Sequence, residues 1–450
     1  MTQPKRQLHL NAFLMTVGHH EAAWRFPQTS LTGTWELEHY VTLAKAAERG
    51  TFDSIFFGDG PALQGDLRYR PVGRLDPTTL LAALAMVTER IGLIATASTT
   101  YNEPYNLARR FASIDLISKG RVGWNIVTTA GKDAAQNFGL DDVPEHHHRY
   151  ERATEFVDVC LKLWDSWEDD FLIGDKAKGL FADASKVHAI DHAGKFFRVR
   201  GPLNVPPTPQ GHPLLVQAGS SEDGREFAAR FAEAVFTAQQ TLADGQAFYS
   251  ELKQRIAAFG RNPELVKILP GIVPVIGSTE AEAERREAEL AELQVPAYGL
   301  RQLSSLLSVE IDESYLDKPL PDLGPVSNVQ GHQSRFLVIT DLARRDKLTV
   351  RELLVRLGGG RGHRTFTGTP EQIADTLEQW FNAGAADGFN VMPPLLPSGL
   401  EEFVDHVVPI LRKRGLFRSE YTGKTLREHY GLERPANRYA SGHEQASKAS

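Results

Sequence analysis

The feature of this sequence that most constrains its fold is a regular alternation between short apolar runs and longer amphipathic segments. Each apolar run is long enough for one strand, and the runs lie at 8–14, 54–59, 91–99, 121–128, 213–219, 233–238, 266–277 and 388–393. Because successive residues in these runs are apolar, we expect parallel strands that are buried on both faces.

Helical periodicity fills the intervals between the runs. The expected helices lie at 34–49, 77–90, 104–118, 148–166, 222–232, 241–259, 279–293 and 370–384. Two of them begin with the spacing of a capping box, in which Thr279 pairs with Glu282 and Thr369 pairs with Gln372. Eight strands that alternate with helices predict an α/β fold of the (β/α)8 TIM barrel type. A doubly wound sheet is the alternative, which is disfavoured because no strand is followed by a G-x-G-x-x-G turn.

Three segments do not fit the repeat and are predicted to be insertions, near 60–76, 167–212 and 294–368. The first is a loop with Arg68, Arg70 and Arg74, and the second is a hairpin followed by an extended proline-rich segment. The third ends in "RLGGGRGHR", whose glycines predict an irregular, mobile loop. We expect a single barrel domain over 1–450 with a polar tail at 430–450, and long insertions of this kind often serve as lids.

Composition excludes several classes of protein. Hydrophobic residues make up 41% of the chain and charged residues 24%, as in an ordinary globular protein. The net charge of −7 does not indicate nucleic acid or an anionic membrane surface as a partner. The single cysteine, Cys160, lies in the middle of a predicted helix, where we expect it in the core, and excludes an internal disulfide. No apolar stretch reaches the ~20 residues of a membrane span or forms a signal-peptide core, so we expect a cytoplasmic protein.

Polar residues at the carboxyl ends of the strands are the candidates for ligand binding, because barrel enzymes place their active sites there. Asp59 closes an apolar run, where a lone carboxylate is costly to bury, so it either contacts a ligand or caps the segment that follows. Asn125 lies between Trp124 and Ile126 within a predicted strand. Because amides are poor strand formers, we expect its side chain to serve a ligand or a structural hydrogen bond.

Three consecutive histidines begin one predicted helix, in "EHHHRYERATEF". Consecutive side chains do not converge easily on one ion, and no second pair of ligands lies at a suitable spacing, so we predict no metal site. His146 and Tyr150 are four residues apart and lie on one helix face, from which both could donate to the same anion. A solvated helix entry is the alternative.

A sharp polar turn joins a strand to a helix in "LLVQAGSSEDGREFAARF". Gly219, Ser220 and Ser221 could cradle a phosphate at the helix N-terminus. Glu222 and Asp223 follow directly and would repel an anion, so a well-capped helix without a ligand is the alternative. The usual nucleophile motifs are missing from the chain, which favours chemistry supplied by a cofactor.

Longer motifs follow one another along nearly the whole chain, among them "LNAFLMTVGHHEAAWR", "FDSIFFGD", "ASTTYNEPYNLARRFASIDLISKGRVGWNIVTT", "NFGLDDVPEHHHRYERATEF" and "HAGKFFRVRGPLNVPPTPQGHPLLVQAGSSEDGREFAA". Together they resemble the bacterial-luciferase-like flavin-dependent monooxygenases, in the branch of nitrilotriacetate, dibenzothiophene-sulfone and long-chain-alkane monooxygenases. The resemblance implies a luciferase-type barrel that binds reduced FMN at its mouth, with the polar turn as the phosphate seat. The positions that match the flavin contacts are Asp59, Thr96, Asn125, His146, Tyr150, Ser220 and Ser221.

The same resemblance implies the oxygenase component of a two-component system. A separate NAD(P)H-dependent flavin reductase would supply FMNH2, and O2 would convert it to a flavin C4a-(hydro)peroxide that oxidises a small organic substrate. It also implies a homodimer or homotetramer. The alternative is a flavin- or deazaflavin-dependent enzyme of the same fold that transfers hydride.

The substrate is not determined by these motifs. Desulfurising relatives carry a histidine after "LSS" in the large insertion, where this chain has Leu306 in "RQLSSLLSVEID". This departure disfavours a sulfone and is closer to the oxidisers of aminopolycarboxylates. Arg68, Arg70 and Arg74 could bind carboxylates bidentately, or they could simply be solvated.

His20 is the candidate catalytic residue. The segment "TVGHHEAAWR" follows the first strand, so its side chains should lie over the pocket. A histidine there could hydrogen-bond the flavin peroxide or transfer a proton to it, because its pKa lies near neutrality. The alternative is that His19 and His20 only shape the loop.

Overall fold

Thirteen strands occur in the part of the chain that the computed structural model describes, which comprises residues 6–63, 66–324, 333–360 and 362–440. They are β1 (His9–Leu14), β2 (Ser54–Phe57), β3 (Gly92–Ser98), β4 (Val122–Val127), β5 (Leu172–Asp175), β6 (Leu180–Ala182), β7 (His192–Ala193), β8 (Arg198–Val199), β9 (Leu214–Gln217), β10 (Ala234–Thr237), β11 (Lys267–Ile276), β12 (Arg364–Gly368) and β13 (Gly388–Val391).

Eight of these strands form a closed parallel barrel in the order β1, β2, β3, β4, β9, β10, β11 and β13. Each pairs with the next, and β13 pairs back with β1 through the register Leu10↔Phe389. Every barrel strand lies within one of the predicted apolar runs. The predicted (β/α)8 barrel is therefore confirmed.

Fifteen α-helices occur in the described segments, and those that alternate with the barrel strands cover the outside of the barrel. They are α1 (Leu37–Arg49), α2 (Pro77–Ala85), α3 (Pro104–Ser118), α4 (Lys132–Asn137), α5 (His146–Trp164), α6 (Glu222–Phe231), α7 (Leu242–Ala258), α8 (Glu280–Glu292), α9 (Pro296–Leu307), α10 (Gln333–Arg345), α11 (Val350–Gly360), α12 (Pro370–Asn382), α13 (Ser398–Glu402), α14 (Val408–Lys413) and α15 (Leu426–His429). All eight predicted helices are among them. Within these described segments, no helix has the length and apolar character needed to cross a membrane.

The two predicted capping boxes differ in outcome. At α12, Gln372 N–H donates to Thr369 Oγ1 (3.3 Å) while Thr369 N–H donates to the Gln372 side chain (2.9 Å), so this box is confirmed. At α8, Glu282 N–H donates to Thr279 Oγ1 (3.2 Å), but the Glu282 carboxylate accepts from Ser278 N–H (2.9 Å). The prediction for the Glu282 side chain is therefore wrong, because it bonds the N–H of Ser278 and not that of Thr279.

The first two insertions lie mostly outside regular structure. The described part of 60–76 is a loop whose Arg70 donates to Tyr298 Oη on α9 (3.1 Å). The second insertion contains two antiparallel hairpins, β5–β6 and β7–β8, where one was predicted. The chain then runs without a strand to β9, as expected for its proline-rich sequence.

The third insertion corrects the prediction that "RLGGGRGHR" is irregular, because α11 continues through Gly360. Each glycine costs a helix about 1 kcal/mol relative to alanine. Leucines on α11 offset this cost by packing with α9 and α10 in an apolar cluster separate from the barrel core; they include Leu353, Leu354 and Leu357. Gly358 also allows a close approach, since a Cβ there would lie 1.9 Å from Gln294 Nε2.

The N-terminal end of the barrel is filled by α15 and the residues that follow it. Leu426 and Tyr430 join the apolar cluster inside the barrel, and Tyr430 Oη donates to Asn11 Oδ1 (2.9 Å). Tyr430, Leu432 and Asn437 in the first part of the expected polar tail are buried, whereas 441–450 lie outside the described residues, so the tail as a whole stays a prediction. Because described residues fill this end, we look for a ligand site at the carboxyl ends of the strands.

Candidate functional site

Two predicted site residues meet at the carboxyl ends of β3 and β4. Thr96 and Asn125 are register partners, both are buried, and Asn125 Nδ2 donates to Thr96 Oγ1 (2.8 Å). This bond uses one end of the amide only, since Asn125 Oδ1 is buried and has no partner among the described residues. The side chain thus makes a structural hydrogen bond through Nδ2, and its Oδ1 remains available to accept a hydrogen bond from a ligand.

Asn125 Oδ1 is one of several buried polar atoms without a partner at this end of the barrel. Within the described residues, the others near β3, β4 and β9 are Thr100 Oγ1, Tyr101 Oη, Arg149 Nε and Nη2, and Gln217 Oε1. A buried polar group that lacks a hydrogen bond costs about 1–3 kcal/mol. Such a set of donors and acceptors fits a polar aromatic ligand, and an isoalloxazine ring with its phosphate tail carries both kinds of group.

The turn after β9 has the shape of a cradle. Ser221 caps α6 by accepting from Gly224 N–H (3.2 Å), and Ser220 Oγ lies 3.4 Å from Thr237 Oγ1. A Cβ at Gly219 would lie 2.8 Å from Tyr150 Oη, so glycine allows this phenol to approach the backbone. The turn therefore caps α6 and leaves Ser220 part-buried beside it. A helix cap alone does not distinguish the phosphate cradle from the capped helix without a ligand, so the phosphate seat stays a prediction.

The acidic residues after the turn are occupied elsewhere. Glu222 forms a bidentate ion pair with Arg255 on α7 (2.6 and 2.9 Å). Asp223 accepts from the Nδ1 atoms of His146 (2.8 Å) and His147 (3.3 Å). Both carboxylates are thereby paired, which reduces the repulsion that an anion at the turn would experience.

His146 and Tyr150 lie on one face of α5, with ring centroids 5.1 Å apart, as their spacing predicts. Burial raises the pKa of Tyr150, despite hydrogen bonds with Ser221 and Thr128, so the phenol remains a neutral donor. The helix thus brings Tyr150 to the turn that carries Ser221. His148 pairs with Glu151 (3.6 Å), and no group of three or more ligating side chains surrounds an ion position in the described segments.

Asp59 stands apart from this group at the end of β2. Burial raises the pKa of its carboxyl group, and the Gly60 N–H and the charge of Arg74 act in the opposite direction. The next helix among the described residues is α2, and Asp76 caps it, so the alternative that Asp59 is a helix cap is wrong. Among the described residues, Asp59 makes no hydrogen bond to the other predicted flavin contacts.

Comparison with known proteins decides the family. The model of the luciferase-like monooxygenases matches residues 17–387. This chain belongs to that family. The monooxygenase is 49% identical to N-acetyl-S-(2-succino)cysteine monooxygenase of Bacillus subtilis, over 98% of this chain and 100% of the relative. It is also 49% identical to nitrilotriacetate monooxygenase component A of Aminobacter aminovorans, over 97% of this chain and 98% of the relative.

Solved structures agree with this placement. EDTA monooxygenase from Chelativorans sp. BNC1 superimposes with a TM-score of 0.81 at 38% identity, covering 95% of this chain and 99% of that one. A long-chain alkane monooxygenase superimposes with a TM-score of 0.82 at 32% identity, covering 95% and 96%. The chain is therefore an enzyme of the monooxygenase class, with the luciferase-like barrel that its motifs indicated.

His20 of the monooxygenase lies over the barrel mouth, as its position after β1 predicts. The residue is 5% exposed, and its Nδ1 accepts from Ala22 N–H (3.2 Å). Its Nε2 lies 3.5 Å from Gln294 Nε2, which belongs to the third insertion. His20 lines a cavity of about 500 Å³ together with Gly359, His363 and Pro394. Its position suits a catalytic role, which stays a prediction.

Sequence reasoning missed two residues at the mouth, His363 and Arg335. His363 stacks on Phe236 with ring centroids 4.9 Å apart, and Arg335 Nη2 lies 2.7 Å from His363 Nε2. A second cavity of about 400 Å³ is lined by Ser220, Thr237 and both missed residues. The sequence offers one indication of His363, which is its place after the glycine run. The composition of that segment predicts a mobile loop, so the sequence does not assign the histidine to the site. His363 lines both cavities and so marks their border.

Arg149 was also missed, although it lies between His146 and Tyr150 in the sequence. It is 2% exposed, and its Nη1 donates to the carbonyls of Thr128 (2.6 Å) and Thr129 (3.2 Å). Burial lowers its pKa, and the described residues supply no carboxylate partner. The i, i+4 spacing that indicated His146 and Tyr150 does not include Arg149.

Proposed function

We propose that this chain is the oxygenase component of a two-component monooxygenase that uses FMNH2 and O2 to oxidise a small organic substrate. The observation that carries the proposal is the set of buried, unpartnered polar atoms beside the Gly219–Ser221 turn. A site in this condition is stabilised when a ligand supplies the missing hydrogen bonds. A riboflavin lyase that contains a modified FMN is 33% identical and superimposes with a TM-score of 0.84, which supports FMN as the ligand.

The residues proposed to hold FMN divide into two groups. The phosphate would be held by Ser220, Ser221, Tyr150 and His146, aided by the dipole of the α6 N-terminus. The remaining contacts would serve the ring system, and they are Asp59, Thr96 and Asn125. When bound, the reduced flavin supplies the electrons that activate O2. The protein binds and orients it and excludes water, for which α9, α10 and α11 are suitably placed.

A separate NAD(P)H:flavin reductase completes the proposed system. The chain carries no G-x-G-x-x-G turn after any of its strands, so a nicotinamide site in this protein is not indicated. One relative is named as component A of nitrilotriacetate monooxygenase, and two different chains of pristinamycin IIA synthase from Streptomyces pristinaespiralis also match. These names imply further components, and we expect the same division of labour here.

Hydride transfer is less well supported. An F420-dependent reductase and an F420-dependent alcohol dehydrogenase share the fold alone, at 14% and 13% identity with TM-scores of 0.54 and 0.57. Several relatives above 30% identity bear the names of monooxygenases, among them those that act on dibenzothiophene sulfone and on long-chain alkanes. The oxygenase function is therefore the one that we propose.

We also propose a cytoplasmic homodimer or homotetramer. The β5–β6 hairpin carries four exposed apolar side chains, with exposed fractions between 49% and 73%; they are Leu172, Ile173, Leu180 and Phe181. A two-stranded hairpin is marginal by itself, and an apolar surface of this kind is often an interaction site. Sedimentation of the purified protein tests this expectation.

The phosphate seat is tested by comparing FMN with riboflavin. The double variant Ser220→Ala and Ser221→Ala should bind FMN at least about tenfold more weakly, because it loses charge-assisted hydrogen bonds. Its affinity for riboflavin should change little. Thr369→Ala, which removes the cap of α12 in another part of the barrel, is the matched control and should leave both affinities unchanged. Equal affinity of the unmodified protein for the two flavins would count against the proposal.

A further inference from the structure

Strand β11 extends beyond the rim of the barrel. Its neighbour β10 ends with the pair Thr237↔Pro270, whereas β11 continues to pair with β12 as far as Ile276↔Gly368. The cavity of about 500 Å³ that contains His20 lies against this two-stranded extension and the helices of the third insertion. A volume of this size holds a small organic molecule.

Arg364, the first residue of β12, lines this cavity and lacks a carboxylate partner among the described residues. Its guanidinium group lies over the rings of Phe366 and Trp380, 5.2 and 5.8 Å from their centroids, and its Nη1 donates to Gln240 O (3.0 Å). These contacts hold the group in one place and leave donors of its fork for a ligand.

Two further arginines lie in the same cavity wall, Arg345 and Arg356. Both contact Asp346, with Arg345 Nε 2.8 Å from Oδ1 and Arg356 Nη2 3.5 Å from Oδ2. Glu287, the other carboxylate in the wall, accepts from Thr367 Oγ1 (2.7 Å). Burial lowers the pKa of Arg364, and the charges of Arg345 and Arg356 lower it further. Arg345 Nη1 also lies 4.0 Å from Asp244 Oδ2, so Arg364 is the arginine of this wall without a carboxylate partner among the described residues, and a bound anion would relieve its repulsion from the other two.

The cavity connects these arginines to the proposed flavin site. A Cβ at Gly359 would lie 3.6 Å from His20 Cδ2 and 3.5 Å from Thr365 Oγ1, so His20 and the residue next to Arg364 flank the same glycine. His363 borders both this cavity and the one that contains Ser220. A molecule held by Arg364 can therefore reach the barrel mouth.

We propose that this cavity binds a substrate with two or more carboxylate groups and that Arg364 is the residue that determines this specificity. Guanidinium groups pair with carboxylates through two parallel hydrogen bonds, which gives both affinity and orientation. One carboxylate would be held at Arg364 and another near Arg345 and Arg356, with the carbon to be oxidised directed toward His20. This assignment rests on the proposed oxygenase function.

The arginines of the first insertion are less suitable for this role. Arg68 forms a bidentate ion pair with Asp66 (2.9 and 2.7 Å), and Arg74 donates to Gly58 O (2.9 Å) beside Asp59. Arg70 donates to the phenol of Tyr298. Arg68 is therefore already paired, and Arg70 and Arg74 are not among the residues that line the cavity containing His20.

Binding of defined acids tests the assignment without turnover. Isothermal titration calorimetry is carried out on the FMN-loaded protein with propane-1,2,3-tricarboxylate, nitrilotriacetate and N-acetyl-S-(2-succino)cysteine, and with the neutral triamide of the first acid. At least one acid should bind, and the triamide should not. Arg364→Met should weaken binding of that acid by about 10-fold to 100-fold, with partial recovery in Arg364→Lys, since hydrogen bonds to charged groups have this magnitude.

Arg351→Met is the matched control, because Arg351 lies on α11 and pairs with Asp317 at the surface. It should leave acid binding unchanged. Absence of binding by all three acids, equal binding of the triamide, or unaltered affinity in Arg364→Met overturns the assignment. Competition between the acid and FMN also overturns it, because the cavity would then serve the flavin phosphate. FMN binding is measured on the unmodified protein and on both variants. If the unmodified protein does not bind FMN, the proposed function is contradicted. If it binds FMN but none of the acids, only the assignment of this cavity is contradicted.

Discussion

Asp53 shows how a single buried residue joins distant parts of this chain. Its side chain has no exposure, its Oδ2 accepts from Leu10 N–H (2.7 Å), and its Oδ1 contacts His9 Nδ1 (3.0 Å) and Arg418. Burial alone would raise its pKa, but the charges of Arg418 and His9 and the hydrogen bonds lower it to about 2. The carboxylate therefore stabilises the fold only when it is ionised.

We expect Asp53→Asn to lower the free energy of unfolding by about 3 kcal/mol at pH 7, because the partly buried Arg418 would lose its carboxylate partner. The folded pKa lies below the unfolded value of about 3.9. The stabilisation is therefore complete above about pH 4 and is lost as the pH falls toward about 2. Urea unfolding across this range should show a steeper decline for the unmodified protein than for the variant. Parallel declines would contradict this account.

The role of His20 is tested by the coupling of oxygen consumption to product. His20→Ala should bind FMN normally and release hydrogen peroxide in place of product, with a productive rate about 10²–10⁴-fold lower, the usual range for general acid–base catalysis. Oxygen uptake, peroxide and product are measured together in the reconstituted system. If the ratio of product to oxygen stays at the level of the unmodified enzyme, His20 only shapes its loop.

At the scale of elements, periodicity and capping determine most of what the sequence predicts. The eight barrel strands are predictable because burial on both faces leaves continuous apolar runs, and the helices because one face of each is buried. The glycine-rich end of α11 is not predictable in this way, because contacts with α9 and α10 stabilise it. The pairing of Thr96 with Asn125 follows from strand order, whereas the stacking of His363 on Phe236 depends on how the third insertion folds back.

The cap of α12 gives a direct test at this scale. Thr369→Ala should lower the free energy of unfolding by about 1 kcal/mol, because Gln372 N–H loses its acceptor at the helix N-terminus. Thr42→Ala, at an exposed position inside α1, is the control and should change stability by less than about 0.5 kcal/mol. Equal effects of the two substitutions in denaturant titrations would show that the cap contributes nothing.

At the scale of the whole molecule, one end of the barrel is filled and the other is covered by insertions. Because α15 fills the N-terminal end of the barrel, Leu426 lies against Gly92. These residues are far apart in the sequence, so no local sequence pattern predicts their contact. The insertions α9–α11 follow β11 and lie beside the mouth, where they can cover a ligand. This asymmetry suits an enzyme that receives both its cofactor and its substrate from the same side.

The proposed need for a partner is a property of the whole molecule. Purified protein with NADH, FMN and substrate should consume no NADH above background, and an unrelated flavin reductase should restore both oxygen uptake and product formation. A reductase without this chain, at the same flux of FMNH2, is the control for free peroxide formation. Sustained NADH oxidation by this chain alone would show that the two-component assignment is wrong.

The plug formed by α15 has a consequence for synthesis on the ribosome. Phe56 on β2 and Ile94 on β3 share an interior cluster with Leu426 and Tyr430, so their burial waits for residues made more than 300 positions later. At about 5–20 residues per second, this delay is roughly 20 s to 1 min. During that time the nascent chain carries apolar side chains and open strand edges with nothing to cover them. We therefore expect the emerging half-barrel to bind chaperones that recognise apolar segments, and slower elongation should increase its aggregation.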